Sequence, residues 1–262
     1  MATVNEKMTA IADAIRDKTG GTEPLTLDDM AAKIAKVYDN GKTEENRAWW
    51  DVITAKNTKT VYMALFRSAD FNLIKGGFNP PYTLKPTETM DNMFRLAKGL
   101  TKITKSQLDT SKCIAGNSIF EASDLQEIEE FSAEGYSKSI PIQWHFYGCT
   151  QLHTIGKFIL KDDGSQTLTR NFINATNLQN ITFEGKIGTT EDFSSCAKLT
   201  AKSIESIVSA LSGTVSGQTL TFNTAVKATY YNAHSSKYAN ADKAWDALCD
   251  TKSNWTISLV GG

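Results

Sequence analysis

The chain has 262 residues, 40 % hydrophobic and 22 % charged, with 5 Pro and 17 Gly, a globular composition that excludes collagen-like, low-complexity and wholly disordered classes. That length gives one extended domain or two small ones, with room for a sizeable core. Lys and Arg number 28 against 29 Asp and Glu, a net charge of −1, so the basic excess needed to neutralise nucleic-acid phosphates or an anionic membrane is missing.

The longest unbroken apolar stretch, Val61 to Phe66, is about a third of the roughly 20 residues that a bilayer demands, so no membrane insertion is expected. Glu6 and Lys7 stand where a secretory signal would carry its apolar run, and export is not expected either. Cys113, Cys149, Cys196 and Cys249 form no C-x-x-C pair and have no His pair nearby. Structural zinc and a disulfide scaffold are disfavoured, and no cofactor is expected.

In chain order, Val4, Met8, Ile11, Ala12 and Ile15 recur on one helical face before Gly20 and Gly21 stop it. Thr26-Leu27-Asp28-Asp29 resembles a capping box and precedes Met30, Ile34 and Val37 at helical spacing. So few apolar residues cannot hold two helices alone, and the pair is expected to pack on its own copies or on another protein. A third helical pattern runs from Thr43 through Trp49 and Trp50 and fades near Asn57. Residues 1–58 therefore read as a helical attachment module, with Met8, Ile11, Ile15, Met30 and Ile34 as its contacts.

From about residue 59 one template recurs six times: bulky apolar, small at plus three, bulky apolar at plus six and usually Ile at plus nine. The copies are Leu65-Ser68-Phe71-Ile74, Phe94-Ala97-Leu100-Ile103, Ile119-Ala122-Leu125-Ile128, Phe146-Cys149-Leu152-Ile155, Phe172-Ala175-Leu178-Ile181 and Phe193-Cys196-Leu199. By subtraction of those positions the starts lie 29, 25, 27, 26 and 21 residues apart, a period that suits a leucine-rich solenoid whose stacked coils cover one another's apolar rungs. The small position then marks close approach of neighbouring backbones and places Cys149 and Cys196 in the core.

Phe146-Tyr-Gly-Cys149-Thr-Gln-Leu152-His-Thr-Ile155 fills every anchor of F-x-x-C-x-x-L-x-x-I, and Phe172-Ile-Asn-Ala175-Thr-Asn-Leu178-Gln-Asn-Ile181 departs only by Ala175. Residues 59–200 thus resemble the BspA-like class of leucine-rich repeat, which implies a curved solenoid with a small strand per coil and a binding surface rather than an enzyme. The irregular spacing of the first copies leaves a degenerate sheet layer open for them.

After Leu199 the sequence predicts a helix opened by Thr200 and closed by Gly213, a strand over 218–222, a helical stretch over 237–249 and a last strand over 254–260. Residues 201–262 read as an α/β cap. Its order resembles the ends of leucine-rich proteins in phage and prophage structural modules. The stretch from Ile11 to Ile34 is likewise similar to N-terminal modules of tail and fibre proteins in phages and prophages of Gram-positive bacteria, which implies attachment to the virion.

His145, His153 and His234 have no zinc-hydrolase spacing, and nucleophile elbow, phosphate loop and dinucleotide fingerprint are missing. A glycan-cleaving enzyme would need two carboxylates in one cleft, which spacing alone does not show. Aromatic rings beside Asn and Gln are what a sugar or protein partner is read with. Trp144, His145, Tyr147, Asn177 and Asn180 are therefore the candidate host contacts, although packing between coils competes for Trp144.

The fold class expected is α+β: the helical module, an irregular leucine-rich solenoid and the α/β cap. The function expected is that of a non-enzymatic phage virion protein of tail or baseplate type, assembled in the host cytoplasm. Its partners would be other virion proteins, further copies of itself and a host surface glycan or protein. A bacterial cell-surface adhesion protein of the same repeat class and a head decoration protein are the alternatives.

Overall fold

A chain wound into coils leaves backbone N–H and C=O groups pointing at the turns on either side, so each coil needs a neighbour of similar length. The computed structural model describes Asp13, Trp50 and residues 61–74 and 76–261. Two compact units, Met1–Lys56 and Asn57–Gly262, divide the chain. The expected N-terminal helical pair, with Met8, Ile11, Ile15, Met30 and Ile34, lies outside the described residues.

The second unit winds as a β-solenoid of about four turns, mostly strand and loop, with three α-helices among the described residues. Strands β1 (Lys102–Ile103), β2 (Glu127–Ser132), β4 (Thr154–Ile159) and β6 (Asn180–Glu184) form one parallel sheet in that order. Its register aligns Ile103, Ile128, Ile155 and Ile181 in one column. Strands β3 (Ile142–Gln143) and β5 (Leu168–Thr169) pair on a second line of the coils, and β7 (Glu191–Phe193), β8 (Gln218–Asn223) and β9 (Trp255–Val260) form a third parallel sheet.

The core is a set of side-chain columns. Phe66, Phe94, Phe120, Phe146, Phe172, Phe193 and Phe222 stack in sequence with ring centroids 4.5 to 6.0 Å apart. Beside them Leu100, Leu125, Leu152, Leu178 and Leu199 are fully buried. Stacked apolar columns suit a coil whose interior is dry and whose neighbours repeat at one spacing.

Two of the six expected repeats start one residue late. Phe66 and Phe120 occupy the ladder, whereas Leu65 is half-buried and Ile119 is a second inward residue. The small positions are Ala69 and Ser123, whose N–H groups donate to Phe66 O (3.1 Å) and Phe120 O (3.0 Å), as Cys149 does to Phe146 O (3.2 Å). Ser68 and Ala122, expected there, are exposed. Both coils simply have one residue fewer between the small residue and the next apolar anchor. With these anchors the first four steps become 28, 26, 26 and 26 residues by subtraction.

A second repeat lies in the backbone. In five coils the residues two before and two after the ladder Phe are left-handed: Ala64 and Ser68, Asn92 and Leu96, Ser118 and Ala122, Trp144 and Gly148, Arg170 and Asn174. This conformation turns the N–H groups of alternate residues toward the next coil. Trp144, Phe146 and Gly148 thus donate to Thr169 O (3.2 Å), Asn171 O (3.2 Å) and Ile173 O (2.9 Å). It also turns two consecutive residues inward, so Met93, Ile119, His145 and Asn171, each just before its Phe, are fully buried.

The repeat ends where a helix replaces a strand. Helix α1 (Ala201–Ala210) starts at Thr200, whose Oγ1 accepts from Ser203 N–H at 3.3 Å, and ends at Leu211, before the Gly213 expected to close it. Its Ser203 and Ser206 hydroxyls accept from the N–H groups of Ile181 (3.0 Å) and Phe183 (2.8 Å), covering the open edge of β6. Beyond it, helix α2 (Ala225–Ala233) was not legible as an element. Helix α3 (Ala241–Cys249) starts later than expected because Asn240 is its cap, with Oδ1 accepting from Lys243 N–H at 2.9 Å. Trp245 of α3 meets Phe222 edge-on at 5.7 Å and closes the ladder.

Candidate binding groove

The left-handed positions decide what the coil face presents. Asn92, Ser118, Trp144 and Arg170 stand two residues before their ladder Phe in four successive coils, and Arg95, Glu121 and Tyr147 stand one after it in three of them. Between these two rows runs a groove of about 470 Å³, completed by Asn117. Arg95 Nη2 pairs with Glu121 at 2.9 Å across adjacent coils, both side chains partly buried, and Arg95 Nε is buried without a hydrogen-bond partner. Arg170 is exposed and makes no ion pair with any described residue.

Left-handed backbone is readily taken by Gly and Asn, and at a bulky residue it costs on the order of 1–2 kcal/mol. Asn92 and Gly148 follow that preference, but Trp144 (φ 55°) and Arg170 (φ 55°) do not. Trp144 is half-buried and Arg170 is exposed, so burial offsets the strain at Trp144 alone. The left-handed conformation itself belongs to the coil, since it recurs in five coils and is held also by Leu96 (φ 60°); what distinguishes the groove is that its left-handed places carry Trp144 and Arg170.

Arg170 also borders a second hollow of about 440 Å³, lined further by Ile173, Thr190, Glu191, Asp192 and Gln218. Glu191 continues the row of Trp144 and Arg170 by one coil, yet it is 1 % exposed. Burial pushes its carboxyl up to about 7, against the opposing help of hydrogen bonds from Asp192 and Asn171. Asn171 ties this corner together: its N–H donates to Glu191 Oε1 (3.2 Å), its Nδ2 to Ile142 O (2.8 Å), and its Oδ1 accepts from His145 N–H (3.3 Å).

Of the five residues expected as host contacts, the structure brings Trp144 and Tyr147 together in the groove. His145 is not available to a partner: it is 0 % exposed, packed edge-on against Phe131 (5.1 Å) and Tyr136 (5.9 Å). Neither ring nitrogen has a partner in good hydrogen-bond geometry, and burial, opposed only weakly by the nearby Gln143 backbone, drives the imidazole down to about 3. Asn177 and Asn180 lie outside the groove and bridge coils instead, Asn177 Nδ2 donating to Thr150 O (2.6 Å) and Asn180 Nδ2 to Thr154 Oγ1 (3.3 Å). Sequence reasoning missed Asn92, Arg95, Asn117, Ser118, Glu121 and Arg170. For all but Asn117 the signal was the spacing of about 26 residues read from each ladder Phe rather than from the template's first apolar residue.

Among the described residues no three His, Cys, Asp or Glu side chains gather to hold a metal ion, and no helix is long and apolar enough to cross a membrane. Comparison with protein-family models, with curated proteins and with solved structures finds no match to this chain.

Proposed function

We propose that the chain is a non-enzymatic virion structural protein of phage tail or baseplate type, whose solenoid offers the Trp144–Tyr147 groove to the surface of a host cell. In this reading the coils are BspA-like leucine-rich repeats and residues 1–58 are a helical module that attaches them to the particle. The observation that carries it is the groove. Four coils contribute to it, and at the place two before the ladder Phe two of them carry the large side chains Trp144 and Arg170 where the other coils carry Ala64, Asn92 and Ser118. The resemblance of Ile11 to Ile34 to phage N-terminal modules supports the virion half of the reading.

The test is gold-labelled antibody against this chain on particles from the producing strain. Label at the tail tip or baseplate is the expected result. Label over the head would make it a decoration protein, and label confined to cell-wall extracts would make it an adhesion protein of the cell surface.

A further inference from the structure

We infer that the groove binds a saccharide carrying an anionic group, carboxylate or phosphate, with Trp144 and Tyr147 against the sugar ring and Arg170 on the anion. The inference rests on the reading of the solenoid as a recognition surface and names the class of ligand it would take.

Three observations lead there. The first is shape and lining: about 470 Å³ falls within the roughly 300–1,000 Å³ of small-ligand sites. Trp144 and Tyr147 share the groove with the amides of Asn92 and Asn117. Aromatic faces suit the C–H face of a pyranose, and planar amides can donate to and accept from adjacent hydroxyls.

The second is charge. Arg95 is already paired with Glu121 at 2.9 Å, whereas Arg170, shared by both hollows, has no ion-pair partner among the described residues. Glu191 and Asp192 share the second hollow with Arg170, Glu191 with its Oε1 on the N–H of the adjacent Asn171 (3.2 Å), and neither forms an ion pair with it. A guanidinium with no ion-pair partner among the described residues, beside an aromatic wall, presents a planar fork that fits a carboxylate or phosphate oxygen pair. A chain of net charge −1 with one such cation in the groove suits a single anionic substituent far better than a polyphosphate backbone.

The third is conformation. At the left-handed place two before the ladder Phe, where other coils carry Ala64, Asn92 and Ser118, these two coils carry Trp144 and Arg170 (φ 55° each), neither side chain deeply buried. These two residues are the ones assigned to the sugar and to its anion.

The experiment uses the full chain on an array of immobilised glycans that includes neutral, uronic-acid, sialylated and phosphodiester-linked members, beside binding to walls of the producing strain. The expected result is retention of acidic glycans over neutral counterparts of the same backbone, weakening as salt rises. The uronic-acid and phosphodiester arms tell which anion is preferred. Arg170→Gln should lower affinity for the acidic glycans by about tenfold and leave neutral ones unchanged. Trp144→Asn, a residue that left-handed backbone favours, should abolish binding of both while the circular dichroism and melting curve stay native. Binding to cell walls with no acidic glycan retained, or an Arg170→Gln variant as tight as the parent, would overturn the inference and leave the recognition reading standing. Binding to neither walls nor glycans would overturn both.

Discussion

Glu191 and His145 sit within one hydrogen-bonded corner and are perturbed in opposite directions, which gives the fold a pH dependence that can be assigned to single residues. The Glu191 carboxyl is raised from 4.5 to about 7, so the stability that its protonated form supports is complete below 4.5 and is lost as pH rises through 7. The His145 imidazole is lowered from 6.5 to about 3, so its contribution is complete above 6.5 and is lost as pH falls toward 3. Between 4.5 and 6.5 the two slopes oppose each other, and stability should be flat there. Glu191→Gln keeps the shape and removes the titration. Its stability relative to the parent should therefore climb as pH rises through that window, by up to about 1.4 kcal/mol per pH unit. Urea midpoints of both proteins at pH 5 and pH 8 check this; an unchanged gap would show that Glu191 titrates as an ordinary carboxylate. His145→Phe, by the same argument, should flatten the acid side, because a ring without nitrogens has nothing to protonate in its contact with Phe131 and Tyr136.

At the scale of the element, the Phe column and the Ile register couple each coil to the next. Phe146 stacks on Phe120 at 5.4 Å and on Phe172 at 6.0 Å, so Phe146→Ala removes both contacts and should cost about 3–5 kcal/mol in a urea unfolding curve. Gly156 answers to a different constraint: β4 carries one extra residue against β6 between Ile155 and Phe158, and a Cβ at Gly156 would overlap the carbonyl oxygen of Glu129. Gly156→Ala should thus destabilise by about 1–3 kcal/mol, far beyond the effect of helix or strand propensity. The repeat was legible because Phe, a small residue, Leu and Ile fall at one period in the regular coils. It slipped at Phe66 and Phe120 because a bulky apolar residue, Leu65 or Ile119, stands directly before the true anchor. His145 was misplaced for a related reason. Strand-like alternation sends neighbours to opposite faces, but the left-handed residue before it turns His145 and Phe146 inward together. Trp144 and Tyr147 were legible as aromatics, whereas Arg95, Glu121 and Arg170 join them only through coil stacking, which no local pattern records.

For the whole solenoid, stability is a chain of nearest-neighbour contacts, and an open sheet edge would leave β6 both unstable and prone to pair with another molecule. Helix α1 closes that edge with side chains rather than with a strand. Ser203 Oγ accepts from Ile181 N–H at 3.0 Å while donating to Gln179 O at 2.9 Å, and Ser206 Oγ accepts from Phe183 N–H at 2.8 Å. Replacing both serines by Ala strands two strand-edge donors, at about 1–3 kcal/mol for each one buried. Because the coils are coupled in a line, the loss should begin at β6 and spread toward β4 and β2, instead of lowering the whole molecule evenly. Hydrogen exchange on the double variant should therefore show β6 amides opening first while Ile128 and Ile155 stay protected. Equal acceleration of all three strands would mean that the solenoid unfolds as one unit and that the helical cap adds to a global stability rather than guarding one end.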